Sequence, residues 1–299
     1  MVMVIANMFS PRTYFSIDSL SPNDGSRLLN ITNFKFLTNP ACSDSPYIVA
    51  VHSAPEHFGK RQLIRNTWGS VVPVYFFFGE TPHQAHLDAE SAEFHDIVQG
   101  SFIDSYRNLT YKHTLVLKWV LYNCPRVRYV LKIDDDVFVN IVELVKLLNN
   151  TISPYGNCNL LMCSHFLRRA RVQRSYRSKW RIPFADYPYY YFPPYCEGAA
   201  VLYSPDVMFK LYQLLQQQDN YFWIDDVYIT GMLFSKLNLI HAQFNWWLDK
   251  NTALIKMEEE QHLQNNYNPK KDLFVVIEEP NYEIYERKFA YLVNITMSD

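Results

Sequence analysis

Short apolar runs alternate with amphipathic segments from residue 47 onward. YIVAVHS (Tyr47–Ser53) and PVYFFFG (Pro73–Gly79) end in turn residues and have the apolar character of strands buried on both faces. Between them, GKRQLIRNTW (Gly59–Trp68) has helical spacing, with Arg61 and Arg65 four residues apart on one face. This order of strand, helix and strand indicates a βαβ unit in a largely parallel sheet.

A second unit of the same kind follows. Asn108 is placed to cap a helix from about residue 110 to 122. VRYVLKI (Val127–Ile133) then reads as a β-branched strand, and helical spacing resumes over 137–148. Asp134–Asp136 therefore come at the carboxyl end of a strand, where open α/β sheets bind their ligands.

The pattern divides the chain into three parts. NLLMC (Asn159–Cys163) and AAVLY (Ala199–Tyr203) read as further strands, and Ser204-Pro205-Asp206 as a helix start. Residues 1–45 are rich in Ser, Asn and Pro and predict a stem or linker. We expect an α/β catalytic domain over 46–250, and a carboxy-terminal extension over 251–299 that packs on the domain or continues it.

Composition and charge narrow the class of protein. The 299 residues are 48% hydrophobic and 19% charged, which favours a globular chain. A formal net charge of −2 argues against a surface built for nucleic acid. The five cysteines allow two disulfides with one thiol left over, or none.

Signals for the cellular compartment are mixed. The apolar start, residues 1–9, is too short to span a bilayer and lacks the features of a signal peptide. Sequons for N-glycosylation would suit a lumenal protein. They begin at Asn30, Asn108, Asn149 and Asn294.

Three consecutive carboxylates at a strand end point to a divalent cation. They repel one another, and oxygen-only ligands suit Mg²⁺ or Mn²⁺. On an extended strand, Asp134 and Asp136 point to one side and Asp135 to the other. We therefore expect Asp136 to bind metal with Asp134 assisting; the alternative is a solvated cluster that caps the next helix.

A second acidic pair lies in YFWIDDVYITG (Tyr221–Gly231). Its aromatic and aliphatic neighbours would desolvate a carboxylate and raise its basicity, as a general base requires. Asp225 and Asp226 could equally begin a helix, where acids are favoured. The two roles are compatible.

Basic residues could serve a pyrophosphate. Arg61, Arg65, Lys112 and the run RRARVQRSYRSKWR (Arg168–Arg181) supply cations that the net charge conceals. Tyr176 and Trp180 could stack nucleic-acid bases. One short run in a near-neutral chain is more often a solvated or phosphate-facing loop, so nucleic acid is not the expected partner.

Taken together, these segments resemble the β-1,3-glycosyltransferase family of β-1,3-galactosyltransferases and β-1,3-N-acetylglucosaminyltransferases. The matching pieces, in the family's order, are RQLIRNTWG (Arg61–Gly69), FFFGE (Phe76–Glu80), DSYRNLTYKH (Asp104–His113), YVLKIDDDVFVN (Tyr129–Asn140), SKW (Ser178–Trp180), FPPYCEG (Phe192–Gly198) and IDDVYITG (Ile224–Gly231). The resemblance implies a GT-A-type, Rossmann-like fold. It also implies an inverting, metal-dependent transfer of galactose or N-acetylglucosamine from a UDP-sugar to a glycan acceptor hydroxyl.

The resemblance also implies roles for the residues at matching positions. The resemblance implies Asp226 as catalytic base and Asp136 and Asp134 as ligands of Mn²⁺, with Mg²⁺ possible as the cation. Donor-binding positions are Arg61, Arg65, Asp104, Lys112, Asp134, Asp135, Lys179 and Trp180. Glu197 and Asp225 are acceptor-side candidates. Implied partners are UDP-galactose or UDP-N-acetylglucosamine and a glycoprotein or glycolipid glycan. Family members are anchored in the Golgi membrane, and we expect the anchor segment to be missing here.

Some positions depart from the family pattern. Ala200 and Val201 replace the usual Gly and aromatic residue, His113 follows Lys112 in place of Thr, and Glu197 replaces Ser. Two alternatives to an active transferase therefore stay open. One is a catalytically weak or inactive sugar- or nucleotide-binding member of the fold, and the other is a metal-dependent phosphoester hydrolase.

Overall fold

Strands and helices alternate along most of the described chain. The computed structural model describes residues 16–149, 158–218 and 220–243, with residues 255–256, 274–276 and 290. The helices are α1 (Phe58–Asn66), α2 (Gln84–Phe94), α3 (Leu109–Asn123), α4 (Ile141–Asn149), α5 (Pro205–Gln216), a π-helix (Asp226–Leu233) and 3-10 turns at Ile17–Ser19, Asp24–Ser26, Trp68–Ser70, Tyr106–Asn108 and Phe234–Leu237. The strands are β1 (Phe36–Thr38), β2 (Tyr47–His52), β3 (Val74–Glu80), β4 (Ile97–Ile103), β5 (Tyr129–Asp134), β6 (Val137–Val139), β7 (Leu161–Cys163), β8 (Phe166–Leu167), β9 (Tyr195–Cys196), β10 (Ala200–Tyr203), β11 (Ala242–Gln243), β12 (Ile255–Lys256) and β13 (Phe274–Val276).

One eight-stranded sheet organises these elements. Its strand order is β1-β4-β3-β2-β5-β10-β7-β11. The run β4-β3-β2-β5 is parallel throughout, whereas β1 and β10 are antiparallel to their neighbours on either side of that run. The structure thus confirms the predicted α/β fold with a mostly parallel central sheet.

The order of the parallel strands fixes where a ligand can bind. From β2 the chain moves outward to β3 and β4, then returns to form β5 on the other side of β2. In such doubly wound sheets the crevice opens where the strand order reverses, at the carboxyl ends of the strands. His52 of β2 pairs with Asp134 of β5 at that edge, so the acidic cluster lies at the reversal point.

Both faces of the sheet are covered, which explains the uniformly apolar strands. Ile48 and Ala50 of β2 pack with α3 and α5, while Val49 and Val51 pack with α1 and α4 on the opposite face. Trp119 of α3 is fully buried. Alternate side chains of one strand therefore contribute to two separate core layers.

The segment before residue 46 differs from the predicted stem or linker. Leu28, Leu29 and Phe34 are buried in the core beneath α3. Strand β1 pairs antiparallel with β4 and so extends the main sheet. Periodicity missed this segment because its apolar residues are few and irregularly spaced. The folded domain thus includes residues well before position 46.

Two helix starts differ from prediction. Residues 137–139 form β6, which pairs with β13, and the helix begins only at Ile141. The Asn140 side chain accepts a hydrogen bond from the Glu143 backbone N–H, as a helix cap does. Asn108 does not cap α3, because its side chain donates to the Ile103 carbonyl instead.

Two disulfides brace the domain. Cys42 is bonded to Cys124, and Cys163 to Cys196, while Cys158 is in neither bridge. The sequence left open whether bridges form, and the structure shows that four cysteines pair. Disulfides of this kind persist in oxidising compartments.

The glycosylation sequons lie in different environments. The Asn30 and Asn149 side chains are exposed, Asn108 is half-buried, and Asn294 lies outside the described residues. Glycosylation at these sites remains a prediction. Within the described residues, every helix is too short or too polar to cross a bilayer.

Candidate functional site

The three aspartates after Ile133 have different partners. Asp135 accepts hydrogen bonds from Ser53 Oγ at 2.8 Å, His57 Nδ1 at 2.7 Å and Lys60 Nζ at 3.0 Å. Burial alone would raise its pKa, but the contacts with His57 and Lys60 outweigh burial and lower it. Asp135 is therefore a fixed anion that anchors the segment between β2 and α1.

Asp134 and Asp136 lack such a set of partners. The Asp134 side chain is 44% exposed, and Lys132 Nζ lies 2.9 Å from its Oδ1. Asp136 has no ion-pair partner among the described residues, and burial together with the Asp134 charge raises its pKa to about 6. Oxygen donors that repel one another fit a divalent cation, which relieves the repulsion. The donor set thus fits the predicted Mn²⁺ or Mg²⁺.

A buried lysine joins the two acidic groups. Lys132 Nζ donates to Asp134 Oδ1 and to the Gly198 carbonyl, each at 2.9 Å. Burial would lower its pKa, but attraction by Asp134, Asp225 and Asp226 raises it above the ordinary value. The sequence reasoning missed Lys132, although a lysine inside the apolar strand VLKI was a usable signal.

Asp226 begins the π-helix and is held by Gly198. Its Oδ2 accepts the Gly198 backbone N–H at 2.9 Å. A Cβ atom added at Gly198 would overlap the Asp226 carboxylate, so only glycine allows this approach. Burial and the neighbouring Asp225 charge raise the Asp226 pKa well above the usual carboxyl range. A carboxylate with raised basicity can accept a proton near neutral pH.

Asp225 is held by a buried histidine. Burial raises the pKa of Tyr203, so its hydroxyl stays protonated and can donate to His113 Nε2 at 3.0 Å. Burial lowers the pKa of His113, and the neutral ring then donates from Nδ1 to Asp225 Oδ2 at 2.9 Å. This bond and Lys132 overcome burial and lower the Asp225 pKa. The two adjacent acids are therefore shifted in opposite directions.

The same cluster is not well suited to a metal ion. One ligand atom each from His113, Asp225 and Asp226 lies within 4.8 Å of the others. However, both His113 nitrogens already have partners, and the Lys132 ammonium attracts both carboxylates. The acids are thus neutralised by a lysine, and the arrangement is better described as a polar network.

The two arginines expected at the donor are committed to buried ion pairs. Arg61 Nη2 lies 2.6 Å from Glu90 Oε2, and Arg65 contacts both Glu90 and Asp96 at 2.7 Å. Arg61 also donates to Ser53 Oγ at 3.0 Å. Neither guanidinium lies at the acidic cluster as an unpaired cation. Arg61 is linked to that cluster through Ser53, which donates to Asp135.

Asp104 and Lys112 form a bracket across the strand ends. Lys112 Nζ lies 2.9 Å from Asp104 Oδ1 and donates to the Ser53 carbonyl at 2.7 Å. The Gly79 N–H donates to Asp104 Oδ2 at 2.7 Å. These bonds tie together the carboxyl ends of β2, β3 and β4 beside the crevice.

Trp180 and Lys179 lie on an exposed loop and contact Tyr106. Trp180 is 48% exposed, and its Nε1 donates to the Tyr106 hydroxyl at 2.5 Å. Burial and the charges of Asp226 and Asp225 raise the Tyr106 pKa. Lys179 Nζ lies 4.6 Å from the Trp180 ring centroid.

Glu197 borders the same site. Its side chain is exposed, and its Oε2 lies 3.6 Å from His165 Nδ1. The next residue, Gly198, is the one that holds Asp226. Glu197 therefore reaches solvent at the rim, next to the base.

A family model and a solved structure are similar to this chain. The family model described as "Galactosyltransferase" matches residues 59–245. A solved glycosyltransferase involved in glycosylation of the major capsid of PBCV-1 is 12% identical, with a TM-score of 0.41; the match covers 81% of this chain and 100% of the other. The family match spans the acids, the Lys112 bracket and the segment around Gly198.

Curated relatives are named as N-acetylglucosaminyltransferases and galactosyltransferases. The chain is 33% identical over 251 residues to human N-acetyllactosaminide beta-1,3-N-acetylglucosaminyltransferase 2, covering 79% of this chain. It is 32% identical over 232 residues to Danio rerio lactosylceramide 1,3-N-acetyl-beta-D-glucosaminyltransferase A, covering 71%. The match spans 60% of each of these relatives. Human beta-1,3-galactosyltransferase 1 is 32% identical, covering 75% of this chain and 73% of the relative. The chain belongs to the galactosyltransferase family.

Proposed function

We propose that this protein is an inverting, metal-dependent β-1,3-glycosyltransferase that moves galactose or N-acetylglucosamine from a UDP-sugar to a glycan hydroxyl. The observation that carries the proposal is the half-buried Asp226 carboxylate, held by Gly198 and made more basic by its surroundings. The relatives' names include both sugars, so both donors stay open.

Asp134 and Asp136 are the residues that would hold the cation. The chemistry such a cation supplies is neutralisation of the charge that develops on the leaving diphosphate. Lys132 keeps Asp134 in place through its 2.9 Å contact. The Lys112–Asp104 bracket shapes the crevice in which the donor diphosphate would lie.

Asp226 would act on the acceptor. One of its oxygens is fixed by the Gly198 N–H, and the other can accept the proton of the attacking hydroxyl. The acceptor oxygen then bonds to the anomeric carbon as the bond to UDP breaks, which inverts that carbon. Tyr106 and Trp180, which are hydrogen-bonded to each other, would stack on donor or acceptor rings.

An oxidising, lumenal compartment suits the proposed glycosyltransferase. The two disulfides, and the sequons that begin at the exposed Asn30 and Asn149, are typical of secretory proteins. We therefore propose the Golgi lumen, where family members act on glycoprotein or glycolipid glycans.

Substituting one acid at a time tests the proposal. Asp226→Asn should reduce transfer by about 10²–10⁴-fold while UDP binding largely survives, because general-base help is lost. Asp136→Ala should instead abolish metal-dependent UDP binding. UDP release and product formation are measured with several UDP-sugars, with Mn²⁺ present or chelated.

A matched variant and two outcomes make the test decisive. The exposed Asp88→Asn on α2 should behave as the parent protein. Normal turnover by Asp226→Asn would refute its role as base. Free sugar or phosphate released without an acceptor would favour a hydrolase, whereas UDP-sugar binding without turnover on any acceptor would favour a binding module.

A further inference from the structure

An aromatic cleft lies outside the acidic crevice. Its volume is about 920 Å³, within the range of small-molecule sites. The lining includes Arg171, Tyr187, Tyr189, Tyr190, Phe192 and Met232. None of these residues has a role in the proposed chemistry, so the cleft requires its own explanation.

The cleft presents tyrosine rings to solvent. Tyr189 is 66% exposed and Tyr190 is 65% exposed. Within the described part of the chain, neither hydroxyl makes a hydrogen bond, and the Arg171 guanidinium makes no ion pair. Flat apolar faces edged by hydroxyls and a cation match a pyranose ring, which also has apolar faces and polar edges. An aliphatic lipid chain would be matched better by a continuous aliphatic lining.

Hydrogen bonds from Arg174 fix the loop that carries these rings. Arg174 Nη2 donates to the carbonyls of Tyr187 at 2.8 Å and Tyr189 at 2.6 Å, and its Nη1 donates to the Ile182 carbonyl at 2.6 Å. Tyr187 also packs edge-on against Tyr189, with ring centroids 5.5 Å apart. A loop fixed in this way loses little conformational entropy when a ligand binds.

Two rigid elements connect the cleft to the proposed base. The π-helix begins with Asp226 and carries Met232 of the cleft near its other end, a rise of roughly 9 Å or less at helical spacing. The segment that holds Phe192 continues to Gly198, which contacts Asp226. Thr230 Oγ1 accepts the Cys196 N–H at 2.9 Å and so clamps the two elements together. The elements that line the cleft are thus joined directly to those that carry the base.

We propose that this cleft is an acceptor subsite, which binds the sugar units that precede the one receiving the transfer. The proposal rests on the proposed function. With the reacting hydroxyl at Asp226, the preceding units would follow the π-helix to Tyr189 and Tyr190, and their rings would stack there. Arg171 would donate to ring hydroxyls or carboxylates. The acceptor is then an oligosaccharide and not a single sugar.

Comparing a short and a long acceptor tests the subsite. The probes are N-acetyllactosamine and its dimeric tetrasaccharide, and the variants are Tyr189→Ala and Tyr190→Ala in the full chain. We expect each variant to raise KM for the tetrasaccharide by about 5–10-fold, equivalent to one lost stacking contact, with kcat unchanged. KM for the disaccharide and for the UDP-sugar should stay within about twofold.

Tyr190→Phe and Tyr176→Ala serve as matched controls. Tyr190→Phe keeps the ring and should retain tight tetrasaccharide binding. Tyr176 is a more exposed tyrosine, at 87%, that does not line the cleft, so Tyr176→Ala should have no effect.

Binding without turnover separates this proposal from the catalytic one. Saturation-transfer NMR on Asp226→Asn should show transfer to protons of the distal sugar units of the tetrasaccharide, and Tyr190→Ala in that background should weaken the transfer to those protons. If Asp226→Asn turns over normally but the tyrosine effects persist, the base assignment fails and the subsite stands. The subsite is overturned if both acceptors bind equally, if both lose affinity together, if neither binds at millimolar concentration, or if UDP displaces the tetrasaccharide.

Discussion

At the scale of single residues, neighbouring identical side chains acquire different chemistry from their contacts. Asp225 is bonded to His113, and its pKa is lowered despite burial. Asp226 faces Asp225 without such a donor histidine, and its pKa is raised. Pairs of acids with pKa values pushed apart are the usual basis for assigning acid and base roles. The sequence could indicate the pair, but only the fold shows which acid is held by the histidine.

The first prediction concerns the pH dependence of transfer. Because the Asp226 pKa is raised, the ionised base forms only as pH climbs above the usual carboxyl range, so activity should increase with pH there. Asp225→Asn removes the like charge, which should lower the Asp226 pKa and shift the acidic limb of kcat/KM to lower pH. Profiles of kcat/KM against pH measure the shift; a limb that moves to higher pH would contradict the assignment.

A second prediction concerns the glycine that holds the base. Gly198→Ala should reduce kcat by at least about 10²-fold, because the added methyl group displaces the Asp226 carboxylate. Gly25→Ala is the matched control, since a Cβ there meets nothing within 4 Å. Circular dichroism and steady-state kinetics should show both variants folded and only the first one slow. Equal activity would mean that the carboxylate tolerates displacement.

At the scale of elements, buried ion pairs fix the helices that frame the crevice. Arg61 and Arg65 of α1 share Glu90 of α2, and all three side chains are at most 10% exposed. Burial would raise the Glu90 pKa, but the two guanidinium groups lower it. This contribution to stability is present above the ordinary glutamate pKa and is lost as pH falls through the lowered value.

Removing Glu90 should therefore destabilise the fold strongly. Glu90→Ala leaves two buried guanidinium groups without this partner, and we expect the free energy of unfolding to fall by about 3–5 kcal/mol. Arg126→Ala, which breaks the exposed pair with Asp44, should cost about 1 kcal/mol or less. Urea unfolding monitored by fluorescence measures the free energy of unfolding of both variants. Similar losses would show that the buried Glu90 pairs stabilise the fold no more than an exposed pair does.

Elements with strong local signals were predicted well. The helix over 59–68 and the strands over 47–53 and 127–133 match α1, β2 and β5 within a few residues. Strand β6 was missed because V-F-V-N-I also fits a helix, and its strand form depends on pairing with residues 274–276. Single-sequence periodicity does not register a partner so distant in the chain.

The site was predictable only in part, for the same reason. The acids could be identified because charged residues interrupt apolar runs. Their supports could not, since Lys132, Tyr203 and Gly198 come from separate segments that only the sheet topology brings together. The arginines were expected at the donor because the sequence does not show that Glu90 and Asp96 neutralise them.

At the scale of the whole molecule, the residues before the main sheet are part of its core. Asp24 accepts hydrogen bonds from Tyr122, Tyr212 and Gln216 and pairs with the buried Lys118. Burial would raise the Asp24 pKa, but these contacts lower it. The amino-terminal segment thus neutralises a lysine that α3 could not otherwise bury.

This dependence predicts a large effect from a residue far from the site. Asp24→Ala leaves Lys118 buried without its carboxylate, so unfolding should become easier by about 3–5 kcal/mol. Asp18→Ala, exposed in the preceding turn, should change stability by less than about 0.5 kcal/mol. Thermal and urea unfolding provide the measurements. A small loss for Asp24→Ala would mean that Lys118 finds another partner or loses its proton.

The Cys163–Cys196 bridge has a practical consequence for making the protein. It links β7 to β9, and Cys196 lies only two residues before Gly198. The Gly198 N–H in turn binds the Asp226 carboxylate. Chain produced in a reducing cytosol would lack this brace, and its large buried sheet could still assemble. Transfer activity should therefore report whether the expression host oxidised the thiols, and solubility or yield should be poorer indicators.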